Sequence, residues 1–360
     1  MKFTVIRNDS NSFRENLLEA LIESCIKNGD KFVNTTETAN YVLNLTTFEN
    51  PKSVRRKSRS LFVITFVFGN SEYKDEDQIK VLSYNALIKS LSNLLIYISP
   101  GLETYFTTPE AGFYQIYFNS DEIYQKIRPI ISANFATDNR FVQDLPERFW
   151  NGSEITGQIG RYGKVLDDLG VLPVPFPLKE FLTESQLKQL YKIYGITGAS
   201  YGNLSARERI SELGRDAFWM TGRGVDKSNL NIIGKDILLV KDFDYENREA
   251  ILSMPPNFNP KARVSVDAVE HSMIYKAFPE IGAIIHVHAW INGVLCTRQN
   301  YPCGTIELAQ EVLELLHRSD NPSSTAVGLK NHGLTITGKN LEEIFNKNSH
   351  KLVREVEMFA

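Results

Sequence analysis

Cysteine is scarce in this 360-residue chain: Cys25, Cys296 and Cys303 are the whole set, and no two form a C-x-x-C pair. That excludes a cysteine-rich structural zinc site, and so dispersed a set suits a reducing compartment, the cytoplasm. Charge of one sign is also lacking, since 40 Lys and Arg stand against 43 Asp and Glu. A net charge of −3 gives no global attraction to nucleic acid. Runs of about 18 apolar residues are missing, as is a basic segment leading into an apolar one at the start, so neither a membrane span nor a secretory signal is expected. Internal repeats and low-complexity tracts are absent as well. The first 270 residues contain no histidine; His271, His286, His288, His317, His332 and His350 all fall in the last quarter.

The length accommodates two domains. Residues 1–150 read as an α/β domain of unassigned role. Lys2 to Arg7 alternates like a strand, and Ser12-x-x-Glu15 has the capping-box pattern before a helix running to Ile26, with Gly29 as its stop. Further strands are expected over 41–45 and 61–68, the second apolar on both faces. A helix over 84–94 and aromatic-rich strands around Tyr105 and over 113–118 follow. The turn after the first strand, Asn8-Asp9-Ser10, has no glycine, which removes the usual dinucleotide-binding fingerprint. Gly157, Gly160 and Gly163 follow no strand and read as chance spacing in a loop. The basic run Lys52, Arg55, Arg56, Lys57 and Arg59 has no interleaved aromatics and reads as a solvated loop. Glycines and prolines thicken over residues 151–180, ending in Gly170-Val-Leu-Pro-Val-Pro-Phe-Pro177, which predicts a linker or arm. Residues 181–360 make the second domain, opened by an amphipathic helix over Thr183–Ile193.

What is present in that second domain is a histidine pair inside an apolar run, Ile281-Gly-Ala-Ile-Ile-His-Val-His-Ala-Trp290. Alternate strand residues share a face, so His286 and His288 point the same way. Two imidazoles side by side in a core call for something that binds both, and a divalent metal does so. His332, in Leu329-Lys-Asn-His-Gly-Leu-Thr-Ile-Thr-Gly338, sits at an expected strand end or tight turn, where a side chain can lean over a neighbouring strand. Three neutral imidazoles with an open fourth position are a catalytic zinc arrangement. Two Gly-containing loops, Gly202-Asn-Leu-Ser-Ala-Arg207 and Thr221-Gly-Arg-Gly224, could turn backbone N–H groups toward an anion, with Asn203, Ser205 or Arg223 as added donors. Each alone reads as an ordinary β-turn. Asp267 near the start of a helix over 264–275 is either a favourable partner of the helix dipole or a proton-shuttling carboxylate, with His271 one turn above it.

Taken in order, GNLS (202–205), TGRG (221–224), VSVDAVEH (264–271), FPEIGAIIHVHAW (278–290) and KNHGLTITGKNLEE (330–343) resemble the class II aldolase/adducin family. The resemblance covers about residues 187–360 and leaves the first half unmatched. It implies a class II aldolase-like α/β/α domain with a central, mainly antiparallel sheet. It also implies Zn2+ or another divalent metal on His286, His288 and His332. Asn203, Arg223, Gly224 and Ser265 would fall at the substrate phosphate, and Asp267 where the aldolases carry a catalytic glutamate, in agreement with the aspartate of the epimerase branch. Val266 replaces a serine of the usual pair, and the chain stops at Ala360, short of the tail that lends a tyrosine in several relatives. The implied activity is that of a metal-dependent aldolase-type lyase cleaving a sugar, in the first instance a sugar phosphate, through a zinc-stabilised enediolate. The alternatives are a pentulose-phosphate 4-epimerase and a non-catalytic, adducin-like interaction protein. A small-molecule substrate, no nucleic acid or membrane partner, and a homo-oligomer, a tetramer by resemblance, complete the expectation.

Overall fold

A computed structural model describes residues 1–8, 12–54, 61–69, 75–109, 112–171, 183–185 and 202–360. The chain divides into two compact units, one built on residues 1–132 and the other on residues 133–176 and 191–357.

The first unit carries a seven-stranded sheet of order β2-β1-β3-β4-β5-β6-β7. Its strands are β1 (Lys2–Arg7), β2 (Lys31–Phe32), β3 (Tyr41–Thr46), β4 (Phe62–Phe68), β5 (Leu94–Ile98), β6 (Glu103–Thr107) and β7 (Phe113–Tyr117). Pairing is parallel from β2 to β5 and antiparallel from β5 to β7. All seven residues of β4 are buried, as its apolar character on both faces requires of a central parallel strand. The helices are α1 (Ser12–Lys27), α2 (Glu76–Ser90) and α3 (Ser120–Ser132). The helix expected over 84–94 is α2, displaced toward the N-terminus. Asp75 caps it by accepting from the Asp77 amide at 3.0 Å, and Leu91, left-handed at φ 60°, ends it. Leu94 instead opens β5, where an apolar run suits a buried strand. Arg55, Arg56, Lys57 and Arg59 of the basic run lie outside the described residues.

The second unit holds a nine-stranded sheet of order β14-β15-β16-β13-β9-β10-β11-β12-β8. In chain order these are β8 (Asp138–Val142), β9 (Asn203–Arg207), β10 (Phe218–Thr221), β11 (Ile237–Asp244), β12 (Glu249–Ser253), β13 (Ala283–Val287), β14 (Leu295–Cys296), β15 (Ala326–Leu329) and β16 (Gly333–Gly338). Only the outermost pairs, β14 with β15 and β12 with β8, are parallel; the six between are antiparallel. Its helices are α4 (Glu154–Asp168), α5 (Ala268–Ala277), α6 (Ile306–Arg318) and α7 (Leu341–Asn348). Val269, Ile274 and Tyr275 of α5 and Leu308, Val312 and Leu316 of α6 share one core with Phe218, Met220, Leu238, Val240 and Ile284 of the sheet. Trp219, between Phe218 and Met220, points to the other face and meets Phe149. On β9, β10, β13 and β16 pack α4 and α7, joined by the stacked rings of Tyr162 and Phe345. The class is α/β with a mainly antiparallel central sheet in this unit.

Two organisational expectations change. The boundary expected at residue 150 lies at Ser132/Ala133, because β8 adds to β12 as a parallel edge strand. Within residues 151–180, expected to be a linker or arm, Glu154–Asp168 is helix α4, begun by a capping box in which Ser153 and Thr156 exchange hydrogen bonds. Gly157, Gly160 and Gly163 are therefore helical, not loop. A Cβ on Gly163 would come within 2.5 Å of the Lys227 carbonyl oxygen, so the glycine lets α4 approach that backbone. Residues 172–177 and the expected helix over Thr183–Ile193, beyond 183–185, lie outside the described residues.

Candidate metal centre

The site is assembled on the face of the sheet that looks toward α5. Register places Asn203 of β9, His286 of β13 and Thr335 of β16 in one row across three adjacent strands. His286 shares the face of Ile284, a member of the core that α5 and α6 cover. His288 follows one residue after β13 ends. His332 closes the turn Lys330-Asn331-His332 between β15 and β16, in which Asn331 is left-handed at φ 58°. Gly333 then passes the neighbouring strand so closely that a Cβ would lie 2.2 Å from the Val287 carbonyl oxygen. That close approach brings His332 to the other two imidazoles.

The Nε2 atom of His332 lies 3.2 Å from Nε2 of His286 and 3.1 Å from Nε2 of His288. Nitrogens on one tetrahedral zinc, each bonded at about 2.0–2.1 Å, stand about 3.3 Å apart. The Leu334 carbonyl lies 3.1 Å from Nδ1 of His286 and accepts the proton there, leaving the Nε2 lone pair facing the other two rings. Burial holds the basicity of all three imidazoles below the ordinary histidine value, well below it for His288 and His332, so each is a neutral donor. Their mutual repulsion as cations and the nearby Lys227 ammonium reinforce this for His288. Neutral, converging imidazoles, buried at His286 and His332 and half-buried at His288, fit a divalent cation.

Beside them stands an acidic and hydroxylic cluster. Asp267, the residue preceding α5, makes no side-chain cap to the helix. Its Oδ2 accepts from Nδ2 of Asn203 at 2.6 Å. Oδ1 of Asp267, Oδ1 of Asn203 and Nε2 of His271 are buried without a protein hydrogen-bond partner. Such atoms are seldom left unpaired, so a bound group or water is the physical reason for their placement. His271 stays neutral because burial pushes its pKa down to about 3, and its Nδ1 pairs with Ser205 Oγ at 2.7 Å, which in turn meets the Tyr275 hydroxyl at 2.8 Å. Glu270 accepts from Thr335 Oγ1 at 2.6 Å; burial, with Asp267 adding to it, raises its pKa to about 8, so it holds its proton at neutral pH. Lys227 is fully buried, and burial lowers its pKa to about 8 against the pull of Asp226 and Asp267.

The loops expected at a phosphate meet one another. Gly222 bridges Val264, the Ser265 amide donates to the Thr221 carbonyl at 3.2 Å, and the Leu204 amide donates to Thr221 Oγ1 at 3.3 Å. Asn203 and Ser265 thus belong to one connected framework with Asp267, and Gly224 follows Gly222 in the same turn at φ 68°. Arg223 is turned elsewhere in part, since its Nη2 donates to the Thr137 carbonyl at 3.1 Å. Sequence reasoning missed Glu270, Lys227 and Cys303. Cys303 Sγ lies 3.2 Å from His332 Nε2, and among the described residues His286, Cys303 and His332 form a group whose ligand atoms are within 4.8 Å of one another. Nothing in its spacing could have found it, because α6 separates it from His332.

Residues 185–300 match the family model described as the Class II Aldolase and Adducin N-terminal domain. The chain is 32% identical over 136 residues to a methylthioribulose-1-phosphate dehydratase of Leptospira interrogans serogroup Icterohaemorrhagiae serovar copenhageni, covering 36% of this chain and 50% of that protein. It is 31% identical over 141 residues to the same-named protein of Leptospira borgpetersenii serovar Hardjo-bovis, covering 36% and 52%. The chain spans about half the length of the curated relatives it matches. Among solved structures, an L-fuculose 1-phosphate aldolase aligns with TM-score 0.35 and 20% identity, covering 54% of this chain and 80% of that one.

Proposed function

We propose, from the premise that residues 185–300 belong to the class II aldolase and adducin N-terminal domain family, that this chain is a metal-dependent lyase acting on a ketose phosphate. The observation that carries the reading is the convergence of three neutral imidazoles at 3.1–3.2 Å beside a buried aspartate. His286, His288 and His332 would hold the metal, zinc being suited to an all-imidazole set. When bound, it supplies Lewis-acid polarisation of a substrate carbonyl.

The chain's own residues do the rest. Asn203 holds one oxygen of Asp267 and leaves Oδ1 to take the proton from the carbon beside the carbonyl. Oδ1 of Asn203 and Nε2 of His271 offer partners to substrate hydroxyls. Glu270, protonated, places no second negative charge beside Asp267, and the Lys227 ammonium balances the carboxylate. Asn203, the turn at Arg223 and Gly224, and Ser265 would receive the phosphate.

The dehydratase names of the Leptospira relatives make loss of water the first reaction to test, with C–C cleavage beside it. A 4-epimerase reading is served by the same proton removal and is separated by product analysis. Retention of all three histidines argues against a non-catalytic, adducin-like role. A homo-oligomer in a cytoplasmic setting, in keeping with three widely spaced cysteines, belongs to the same reading. Among the described residues no helix is long and apolar enough to cross a membrane. Zinc-loaded protein is expected to turn over a member of a ketose-phosphate panel that includes methylthioribulose 1-phosphate, and His286→Ala to abolish both metal retention and turnover. Undiminished turnover by that variant would refute the reading.

A further inference from the structure

The half-buried thiol of Cys303 stands beside the imidazoles of His286 and His332, the ligand atoms of the three lying within 4.8 Å of one another. Its Sγ is 3.2 Å from His332 Nε2 and farther, 3.8 Å, from Nδ1, so it faces the nitrogen that also faces His286 and His288. On a tetrahedral zinc with Zn–N about 2.0 Å and Zn–S about 2.3 Å, nitrogen and sulfur ligands stand about 3.5 Å apart. The three separations that radiate from His332 Nε2, to two nitrogens and one sulfur, are each within a few tenths of an ångström of such edges. With the His286 proton on Nδ1, the imidazole Nε2 atoms cannot satisfy one another: His332 Nε2 can donate one proton at most, yet two nitrogens and a sulfur surround it. Both His286 and His332 are more than nine-tenths buried, at 2% and 4% exposure, so water does not resolve the crowding.

The loop carrying Cys303 is also built to stay there. Gly304, left-handed at φ 76°, sits so close to Val266 that a Cβ would come within 2.9 Å of that side chain. Its carbonyl accepts from the Ala136 amide at 2.8 Å, and Thr305 caps α6 directly afterwards. Cys303 is therefore fixed by the backbone that directly follows it, which packs against Val266.

We propose that Cys303 is a fourth, displaceable ligand of the metal held by His286, His288 and His332. This rests on the metal centre of the proposed lyase and adds to it a residue that shuts the site in the absence of substrate. A permanently closed four-ligand set would be structural, whereas a ligand supplied by a partly exposed loop can yield its place. Metal uptake releases the thiol proton to solvent. On substrate entry Cys303 would give up its place to a substrate hydroxyl, and its thiolate would take up the proton that the hydroxyl gives up.

Cobalt(II) reports on this without recourse to turnover. Chelator-stripped full-length protein loaded with Co2+ is expected to show visible ligand-field bands and a near-ultraviolet sulfur-to-cobalt charge-transfer band. Cys303→Ser and Cys303→Ala should lose the second and keep the first, and dihydroxyacetone phosphate, an α-hydroxyketone, should bleach it in the parent protein. Ligand-field bands without the charge-transfer band, or a band that survives both substitutions, overturn the Cys303 assignment and leave the histidine site standing. A charge-transfer band that saturating dihydroxyacetone phosphate leaves intact overturns displacement. No cobalt spectrum at all overturns the metal centre itself, and with it both readings.

Discussion

Three glycines on one helix give opposite expected responses to the same substitution. In an α-helix interior, Gly→Ala is worth about 0.8–1.0 kcal/mol of helix propensity. At Gly157 a new Cβ meets nothing within 4 Å, so Gly157→Ala should realise most of that gain. At Gly163 the Cβ would lie 2.5 Å from the Lys227 carbonyl oxygen and 2.9 Å from Leu230 Cδ1. Backbone cannot swing aside as a side-chain tip can, so the overpacking cost falls toward the upper part of the usual range of about 1–3 kcal/mol. After the propensity gain, Gly163→Ala should destabilise by about 1–2 kcal/mol. Gly160→Ala, 3.3 Å from the Leu230 carbonyl oxygen, should lie near neutral. The readout can be confined to the second unit, because Trp150, Trp219 and Trp290 are the chain's three tryptophans and all belong to it. Tryptophan fluorescence in urea titrations and thermal melts then follows that unit, where 1 kcal/mol moves the midpoint by about 2–4 °C in a domain of about 150–250 residues. A Gly163→Ala protein melting at or above the parent would refute the close approach of α4.

Asp267→Asn should lower turnover by about 10²–10⁴-fold while metal content stays at the parent level; a loss confined to metal content would reassign the residue. Chelator-treated protein should be acid-labile: His271, His286, His288 and His332 all have folded pKa values below their unfolded ones, so stability present above about pH 6.5 is lost as pH falls toward the folded values, about 3 for His271. Urea midpoints unchanged between pH 7 and pH 5 would contradict this. Glu270 has the opposite sign, because the folded state keeps a proton that the unfolded state releases near 4.5, and its contribution is lost as pH rises through about 8. Glu270→Gln in metal-free protein should therefore flatten the alkaline side of the profile, measured by the same midpoints at pH 6 and pH 9.

The sequence made the candidate metal centre legible because strand periodicity is rigid: with a period of two, His286 and His288 had to share a face. His332 was legible from the glycine after it, which the passage beside Val287 requires. Other features left weaker marks. Gly157, Gly160 and Gly163 each lower helix propensity, and α4 forms nonetheless through the Ser153 cap and its packing on β9 and β10, neither of which local propensity contains. β8 reads Asp-Asn-Arg-Phe-Val, too polar to announce a strand, and it exists because β12 presents an edge for it. Glu270 looks like an ordinary helical acid until Thr335 and the burial around it are known. Cys303 needed the tertiary fold outright.

The row formed by Asn203, His286 and Thr335 has a consequence for how this protein tolerates change. Its three members are aligned by strand register alone, and sliding β13 by a single position would turn His286 away from α5 and bring Ile285 or Val287 into its place. A one-codon insertion or deletion within residues 283–287 should thus extinguish metal uptake even where the sheet survives, whereas the same lesion in the turn at Glu246–Asn247 would leave the imidazoles aligned.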